Sequence, residues 1–311
     1  NGRYALAYNP NPDGEHRWPL AIVTDEDGIR YDDLLCVHGE VPPRRFVGTN
    51  KDFGQNYVRG IAEGNGLPPD GGLWVAYSMN KEDIWVTRAR VPIAGSVDAA
   101  VDEGFEKARD ESDLELWNLH VPKWAPISVV DEPLSAGDNR ALELRDQAPN
   151  EDARAERTFP EASVVELSFR VLPQQVGHAI LEVEVQGPRT ERPLKLRLDQ
   201  DQLALAHVKV DAAPVRIGLG TWLTHGIRAD ANSQTWDLSV DGKWVHRKVP
   251  FAVPVETLQR LVFRTGPWRG DVDSAIVDDA PATRGLDRED RPGAGQPATL
   301  SVFLIDAVKA E

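Results

Sequence analysis

Apolar and polar residues alternate with a period of two along most of this chain, and helical periodicity is nearly absent. In the first third, residues 4–8, 20–24, 34–37, 73–78 and 84–89 read as strands, separated by turns rich in Pro, Gly, Asn and Asp. The pattern changes between 96 and 118, where Val97, Val101, Phe105 and Ala108 fall at helical spacing and Ser96 stands where a cap would. This predicts a short connecting helix or an irregular linker. The following run, Leu116 to Pro126, has tryptophans and prolines that suit a stiff strap between two domains.

Strand signals resume at Ile127 and continue to Lys309, notably over residues 141–145, 164–172, 179–185, 194–198, 235–240, 258–264 and 301–309. Asp241-Gly242, set between alternating segments that contain Trp236 and Trp244, is the strongest hairpin signal in the chain. The acidic, Pro- and Gly-rich stretch 278–297 reads as a mobile loop. The expected fold is all-β in three parts. Residues 1–95 supply about two blades of a β-propeller, too few to close a ring. Residues 96–126 are a linker strap, and 127–311 form a jelly-roll or concanavalin-like, lectin-like β-sandwich.

Composition narrows the function. Of 311 residues, 41% are hydrophobic and 27% charged, which is globular, and no apolar run is long enough to span a membrane. The net charge of −15 repels a phosphate backbone and argues against a nucleic-acid partner. The single cysteine, Cys36, lies in the apolar run Leu34 to Val37, so a buried structural thiol is expected rather than a catalytic one. The chain begins at Asn1 with strand-like residues and no leader, which reads as a processed product or a fragment whose upstream portion ended in mid-architecture.

Residues Thr24 to Tyr31 follow the pattern Ser/Thr, any, Asp, any, Gly, any, any, aromatic, with Glu26 at the acid position. In such a turn the acid and hydroxyl satisfy amides, Gly28 accepts a positive φ and Tyr31 packs beneath the hairpin. A plain hairpin is the alternative. The motif resembles the Asp-box of sialidase-like β-propellers, and the runs Arg3 to Asn9, Arg17 to Ile22, Tyr57 to Ile61 and Tyr77 to Val86 look like closing blades of bacterial proteins of that group. Trp117-Asn118 and Pro122 to Pro126 resemble the strap that leads from such a propeller to a C-terminal sandwich. The resemblance covers about residues 1–130 and implies carbohydrate chemistry in a secreted or periplasmic protein, without fixing the reaction.

Within that resemblance Arg59 is the first choice for holding an anionic sugar, because a guanidinium grips a carboxylate through two parallel bonds. An internal ion pair with Glu63 or Asp52 is the competing role. Tyr57, Glu63 and Asn65 surround Arg59 in sequence, and strand alternation would put Tyr57 and Arg59 on one face with Val58 opposite. Asn80, Lys81, Glu82 and Asp83 form a loop between two apolar strands. Glu63, Glu82 and Asp83 are the candidate catalytic acids, although adjacent acids in a hairpin more often cap amides or face solvent. Lys81 would neutralise a substrate carboxylate. His38, in a loop that also carries Arg44 and Arg45, would border the same face as an acid or base, a surface histidine being the plainer reading.

In the sandwich, Trp222, Trp236, Trp244 and Trp268 are candidates for a sugar-stacking platform, with core packing favoured for Trp236. No cofactor is expected. Asp271, Asp273, Asp278 and Asp279 are residue types that hold calcium, but their spacing fits no strict loop and solvated acids are favoured. The partner expected is a glycan or polysaccharide. The function expected is that of a glycoside hydrolase of sialidase-like propeller type acting on an anionic glycan, enzymatic in its full-length form. The alternatives are a non-catalytic glycan-binding or adhesion protein and a polysaccharide lyase on the same scaffold.

Overall fold

The structure is a computed structural model describing residues 3–11, 17–48, 51–67, 69–93, 97–114, 116–133, 139–199, 202–205, 215–216, 218–266 and 289–311. The chain separates into two units: Asn1–Ser96 with Arg269–Ala294, and Val97–Trp268 with Gly295–Glu311. No α-helix occurs among the described residues, only single 3-10 turns at Pro69–Gly71 and Glu111–Asp113. None of their segments is a helix long and apolar enough to cross a membrane.

The first unit holds two antiparallel three-stranded meanders. One is β1 (Tyr4–Tyr8), β2 (Leu20–Asp25) and β3 (Asp32–His38); the other is β4 (Gln55–Ile61), β5 (Leu73–Met79) and β6 (Asp83–Ala89). Leu20, Ile22, Val37, Phe53, Val75, Tyr77 and Met79 form one core, drawn from both meanders. The three-residue β5–β6 turn carries Asn80 and Lys81 at φ 54, and the Glu82 amide closes it on the Met79 carbonyl at 2.9 Å. Alternation along β3 places Leu35 and Val37 against this core and turns Leu34 and Cys36 outward. Cys36 is therefore exposed, contrary to the burial expected from its apolar neighbours.

The second unit contains two sheets. The larger runs β19 (Lys243–Pro250), β18 (Thr235–Val240), β17 (Leu223–Asp230), β12 (Val164–Gln175), β21 (Ser301–Ala310), β10 (Arg140–Asp146) and β9 (Ile127–Asp131), with β7 (Val101–Glu103) also paired to β21. The smaller runs β16 (Val215–Arg216), β15 (Gln202–Leu205), β14 (Leu194–Asp199), β13 (Leu181–Gln186), β20 (Leu258–Arg264), β11 (Arg154–Ala162) and β8 (Trp117–His120). Every second residue of both sheets, such as Leu142, Phe169, Val183, Leu238, Phe263 and Ile305, enters one shared core. The Asp241-Gly242 turn joins β18 to β19 with φ of 47° and 73°, as its sequence predicts.

The segment expected to be a helix or linker is not helical. Val101, Phe105 and Ala108 are anchors of an irregular stretch, buried in the shared core, and β7 pairs there with the end of β21. The expected strap contributes β8 to the smaller sheet, where Trp117 packs between Phe105 and Phe263 at ring separations of 5.7 and 6.3 Å. Helical spacing arose because three apolar anchors in a chain crossing a core can fall three or four residues apart without a helix.

Candidate functional site

The Asp-box-like turn is built as the motif requires but by different acids. Asp25 accepts the amides of Glu26, Ile29 and Arg30 at 2.6, 2.8 and 3.1 Å, and Asp27 accepts that of Ile29 at 2.7 Å. Partial loss of water pushes the Asp25 carboxyl up, but hydrogen bonds from Asp27 and these amides outweigh it and hold it well below the usual carboxylate range. Glu26, which occupies the motif's acid position, instead meets Arg3 at 3.1 Å. Gly28 has φ 75 and a Cβ there would press the Tyr4 ring at 3.3 Å.

Glu82 is a clamp. Its side chain is 3% exposed, and it accepts the amides of Arg45 and Phe46 at 2.9 and 2.8 Å while its carboxylate lies 3.4 Å from Arg45 Nε. Asp83 pairs with the same guanidinium. Asn80 is equally committed, donating to Pro42 O at 2.7 Å and accepting from Gly54 N at 2.9 Å. The Asn80 to Asp83 turn thus holds neighbouring loops in place instead of presenting open groups.

His38 is buried at the end of β3 and is no surface-loop residue; its Nδ1 lies 3.4 Å from the Tyr77 hydroxyl and its ring meets Trp85 edge-on at 5.5 Å. Burial pushes the Tyr77 phenol up, against a hydrogen bond with Thr87. Glu63 and Asn65 form an exposed turn in which Asn65 accepts the Leu67 amide at 2.8 Å and donates to Glu63 at 3.5 Å. Arg59 is exposed and donates to the Val58 carbonyl at 3.0 Å, while Asp52 meets Lys81 at 3.6 Å.

Tyr57 is the candidate of this unit whose placement is distinctive. It sits at φ 56 where the β4–β5 register slips, 58% exposed, with Lys81 and Arg17 each 5.8 Å from its ring centroid. An aromatic residue in the left-handed region is strained by about 1–3 kcal/mol, and such strain concentrates at working surfaces. Arg17 has no sequence signal that links it to a tyrosine forty positions away.

In the second unit a cleft of about 470 Å³ opens beside β21. Its origin is a register change. One edge of β21 pairs with β10 as far as Ile305 and then with β7 from Val308, and on its other edge a bulge against β12, between Asp306 and Lys309, includes Ala307 at φ 50. Asn139, Arg170, Asp306, Lys309, Asp102 and Glu106 are among the lining residues. Arg170, from β12, lies opposite Asp306 and reaches its Oδ2 at 3.1 Å through Nη1 and Glu132 Oε1 at 3.4 Å through Nη2. Its Cζ stands 4.5 Å from the Trp222 ring centroid. Burial, reinforced by Glu106, pushes the Asp306 carboxyl up, against the Ala307 amide, Arg170 and Asn139.

Residues 117–275 match the family described as "Sialidase-like, CBM domain", a carbohydrate-binding module. The chain belongs to this family. The matched span includes Glu132, Arg170, Trp222 and Trp244, whereas β21 supplies Asp306 and Lys309 from beyond it. The chain is also similar to a solved structure named "Sialidase", at 34% identity and a TM-score of 0.86, over 100% of this chain and 27% of that one. It therefore spans about a quarter of the length of that sialidase. The catalytic domain of a glycoside hydrolase family 131 protein from Coprinopsis cinerea aligns at 10% identity and a TM-score of 0.43, over 70% of this chain and 93% of that one, a likeness that carries no weight. No curated protein matches.

For this sialidase-like CBM, sequence reasoning missed Arg170, Asp306, Asn139 and Glu132, because the pair at the centre of the cleft is separated by 136 positions. Of the tryptophans proposed as a platform, Trp236 is buried in the core, Trp222 is half-buried beneath Arg170 and Trp244 is exposed. Trp268 and the aspartates at 271, 273, 278 and 279 lie outside the described residues. Among the described residues no group of three or more His, Cys, Asp or Glu is placed to hold a metal ion.

Proposed function

We propose that this chain binds a glycan through its second unit, a jelly-roll-like sandwich, as the carbohydrate-binding portion of a larger sialidase-like protein. The observation that carries this reading is the CBM match over residues 117–275, which supplies Arg170 and Asn139 to a cleft completed by residues outside the match, with the guanidinium held by Glu132, Asp306 and Trp222. A guanidinium placed over an indole, beside an amide and carboxylates, offers both the donors and the acceptors that vicinal sugar hydroxyls require. Glycan-array binding by the whole chain tests it. Arg170→Met should abolish the array signal at unchanged secondary structure; retention of full binding would remove the cleft from this role.

A second reading concerns the first unit, as blades of a sialidase-like propeller that acts on an anionic glycan in the full-length protein. It is favoured by the similarity to a sialidase across the whole chain and by the exposed Tyr57 between Arg17 and Lys81. The experiment is an assay of the full-length protein for released sugar against unsaturated product, which separates hydrolysis from elimination. Tyr57→Ala or Arg59→Ala leaving turnover unchanged would exclude those residues from substrate contact.

A further inference from the structure

The register of the large sheet brings together residues that no sequence spacing connects. On the face turned away from the core, Trp244 of β19 is paired with Ser239 of β18, Ser239 with Gly226 of β17, Gly226 with Ser168 of β12, and Ser168 with Lys309 of β21. Lys309 is paired in turn with Asp102 of β7. The neighbours of these residues in each strand, Leu238, Ile227, Leu167 and Val308, are buried in the shared core, so the row itself looks outward. Five steps between strands span about 24 Å at roughly 4.8 Å each.

The middle of this row carries small side chains. Its floor is Ser239, Gly226 and Ser168, and a Cβ on Gly226 would lie 2.5 Å from Ser239 Oγ, which would have to turn away. One wall is Asp237, Arg228 and Glu166, adjacent in register; the other is Thr224, Arg170 and Asp306. At one end stands Trp244, 52% exposed on an edge strand with Arg247 Cζ 5.4 Å from its ring centroid, and at the other is the cleft with Lys309 and Asp102. Exposing an indole is unfavourable for a free-standing edge, and sugar CH faces pack on such rings.

Charge decides the kind of sugar. Arg228 faces Glu166 at 3.5 Å, Lys309 faces Asp102 at 3.2 Å, and Arg170 is shared by Asp306 and Glu132. Each of these cations already has a carboxylate partner, and at the cleft Glu103 and Glu106 outnumber the one further cation in its lining, Lys107. A carboxylated or sulfated sugar would meet repulsion, whereas neutral hydroxyls can donate to the acids and accept from the guanidinium.

We propose that the outward face of the large sheet is an extended groove for an uncharged, linear oligosaccharide, lying across the strands from Trp244 to the Arg170 cleft. The proposal rests on the glycan-binding reading above and specifies its ligand: several sugar units instead of one terminal residue, and neutral instead of sialylated.

Calorimetric titration of the whole chain with neutral oligosaccharides, from monosaccharide to hexasaccharide in the cello-, manno- and N-acetyllactosamine series, tests it. The sialylated counterparts of the last series serve as charged probes. For the series that binds, affinity should rise by about tenfold or more with length, and sialylation should weaken it. Trp244→Ala, at an exposed edge position, should remove the gain of the long members and leave the shortest bound ligand unaffected. Ser168→Tyr, which fills the floor, should do the same. Equal affinity at all lengths, or an equal loss at all lengths in Trp244→Ala, would overturn the groove while leaving the cleft as a glycan site. Tighter binding of the sialylated probes would overturn the neutral specificity. No binding by any probe, neutral or charged, would overturn both the groove and the reading beneath it.

Discussion

Arg170 lies over Trp222 with its guanidinium carbon 4.5 Å from the ring centroid, and the same group bridges two nearly buried carboxylates, Glu132 and Asp306. The indole limits where the fork can sit, and the two acids fix its orientation. Lysine would keep the charge and lose both constraints. Arg170→Lys should weaken glycan binding by about tenfold and lower stability by about 1–2 kcal/mol, discounted for the partial exposure of the arginine. Titration calorimetry and chemical denaturation measure the two effects separately.

Glu82 should behave as a structural residue. Its carboxylate accepts two amides and faces one guanidinium, so Glu82→Ala strands those donors in a region of low water access. The expected cost is about 2–3 kcal/mol, seen as a lower melting temperature of the first unit. Turnover in a longer protein that fell with no loss of stability would contradict this role.

The turn at residues 25–30 gives a comparison of neighbours. Asp25→Ala should increase proteolytic cleavage between Asp25 and Arg30, since the Glu26 amide loses its side-chain acceptor and those of Ile29 and Arg30 keep only Asp27. Glu26→Ala removes only the exposed contact with Arg3 and should leave the cleavage rate near that of the parent. Limited proteolysis followed by mass spectrometry distinguishes the two.

His225 is stacked on Phe169 inside the core, and burial drives its pKa down from 6.5 to about 4. Its depressed folded-state value means that stability is intact above 6.5 and is lost as pH falls towards 4. His225→Leu should reduce the loss of stability on acidification from pH 7 to pH 4 by up to about 3 kcal/mol. Denaturation midpoints at a series of pH values measure it.

Asp146 has the opposite sign. It accepts the Thr265 hydroxyl and the Ala148 amide, both at 2.6 Å, and burial raises its carboxyl from 3.8 to about 7 despite these bonds and His178. The folded state therefore holds this proton more tightly than the unfolded chain, and the group's contribution falls as pH rises from about 4 to about 7. Asp146→Asn should become progressively more favourable relative to the parent across that interval. A pH-independent difference in stability would show that the carboxyl titrates normally.

Much of the strand pattern was legible because burial alternates along each strand, as in β10, β12 and β18. What escaped had no local signal. Strand alternation was read at Tyr57 to Arg59 but the register slip there had no signal, and Cys36 points outward because only the alternation of β3, not the hydrophobicity of its neighbours, sets its face. The candidates chosen for their polar side chains alone, Glu82 and Asn80, proved to be tied to backbone groups on loops far away in sequence. The Arg170 cleft depends on a bulge and on pairs made across the sheet, so a one-dimensional reading finds its residues scattered.

The position of β21 also has a bearing on synthesis. It lies between β12 and β10 and also pairs with β7, so among the described residues the strands before it in the large sheet form three sets, β7 alone, β9 with β10, and β12 with β17, β18 and β19, which meet in the sheet through Ser301–Ala310. A nascent chain on the ribosome would display the open hydrogen-bonding edges of β12, β10 and β7 until this strand emerged. Until then it would be a substrate for chaperones and an invitation to edge-to-edge association.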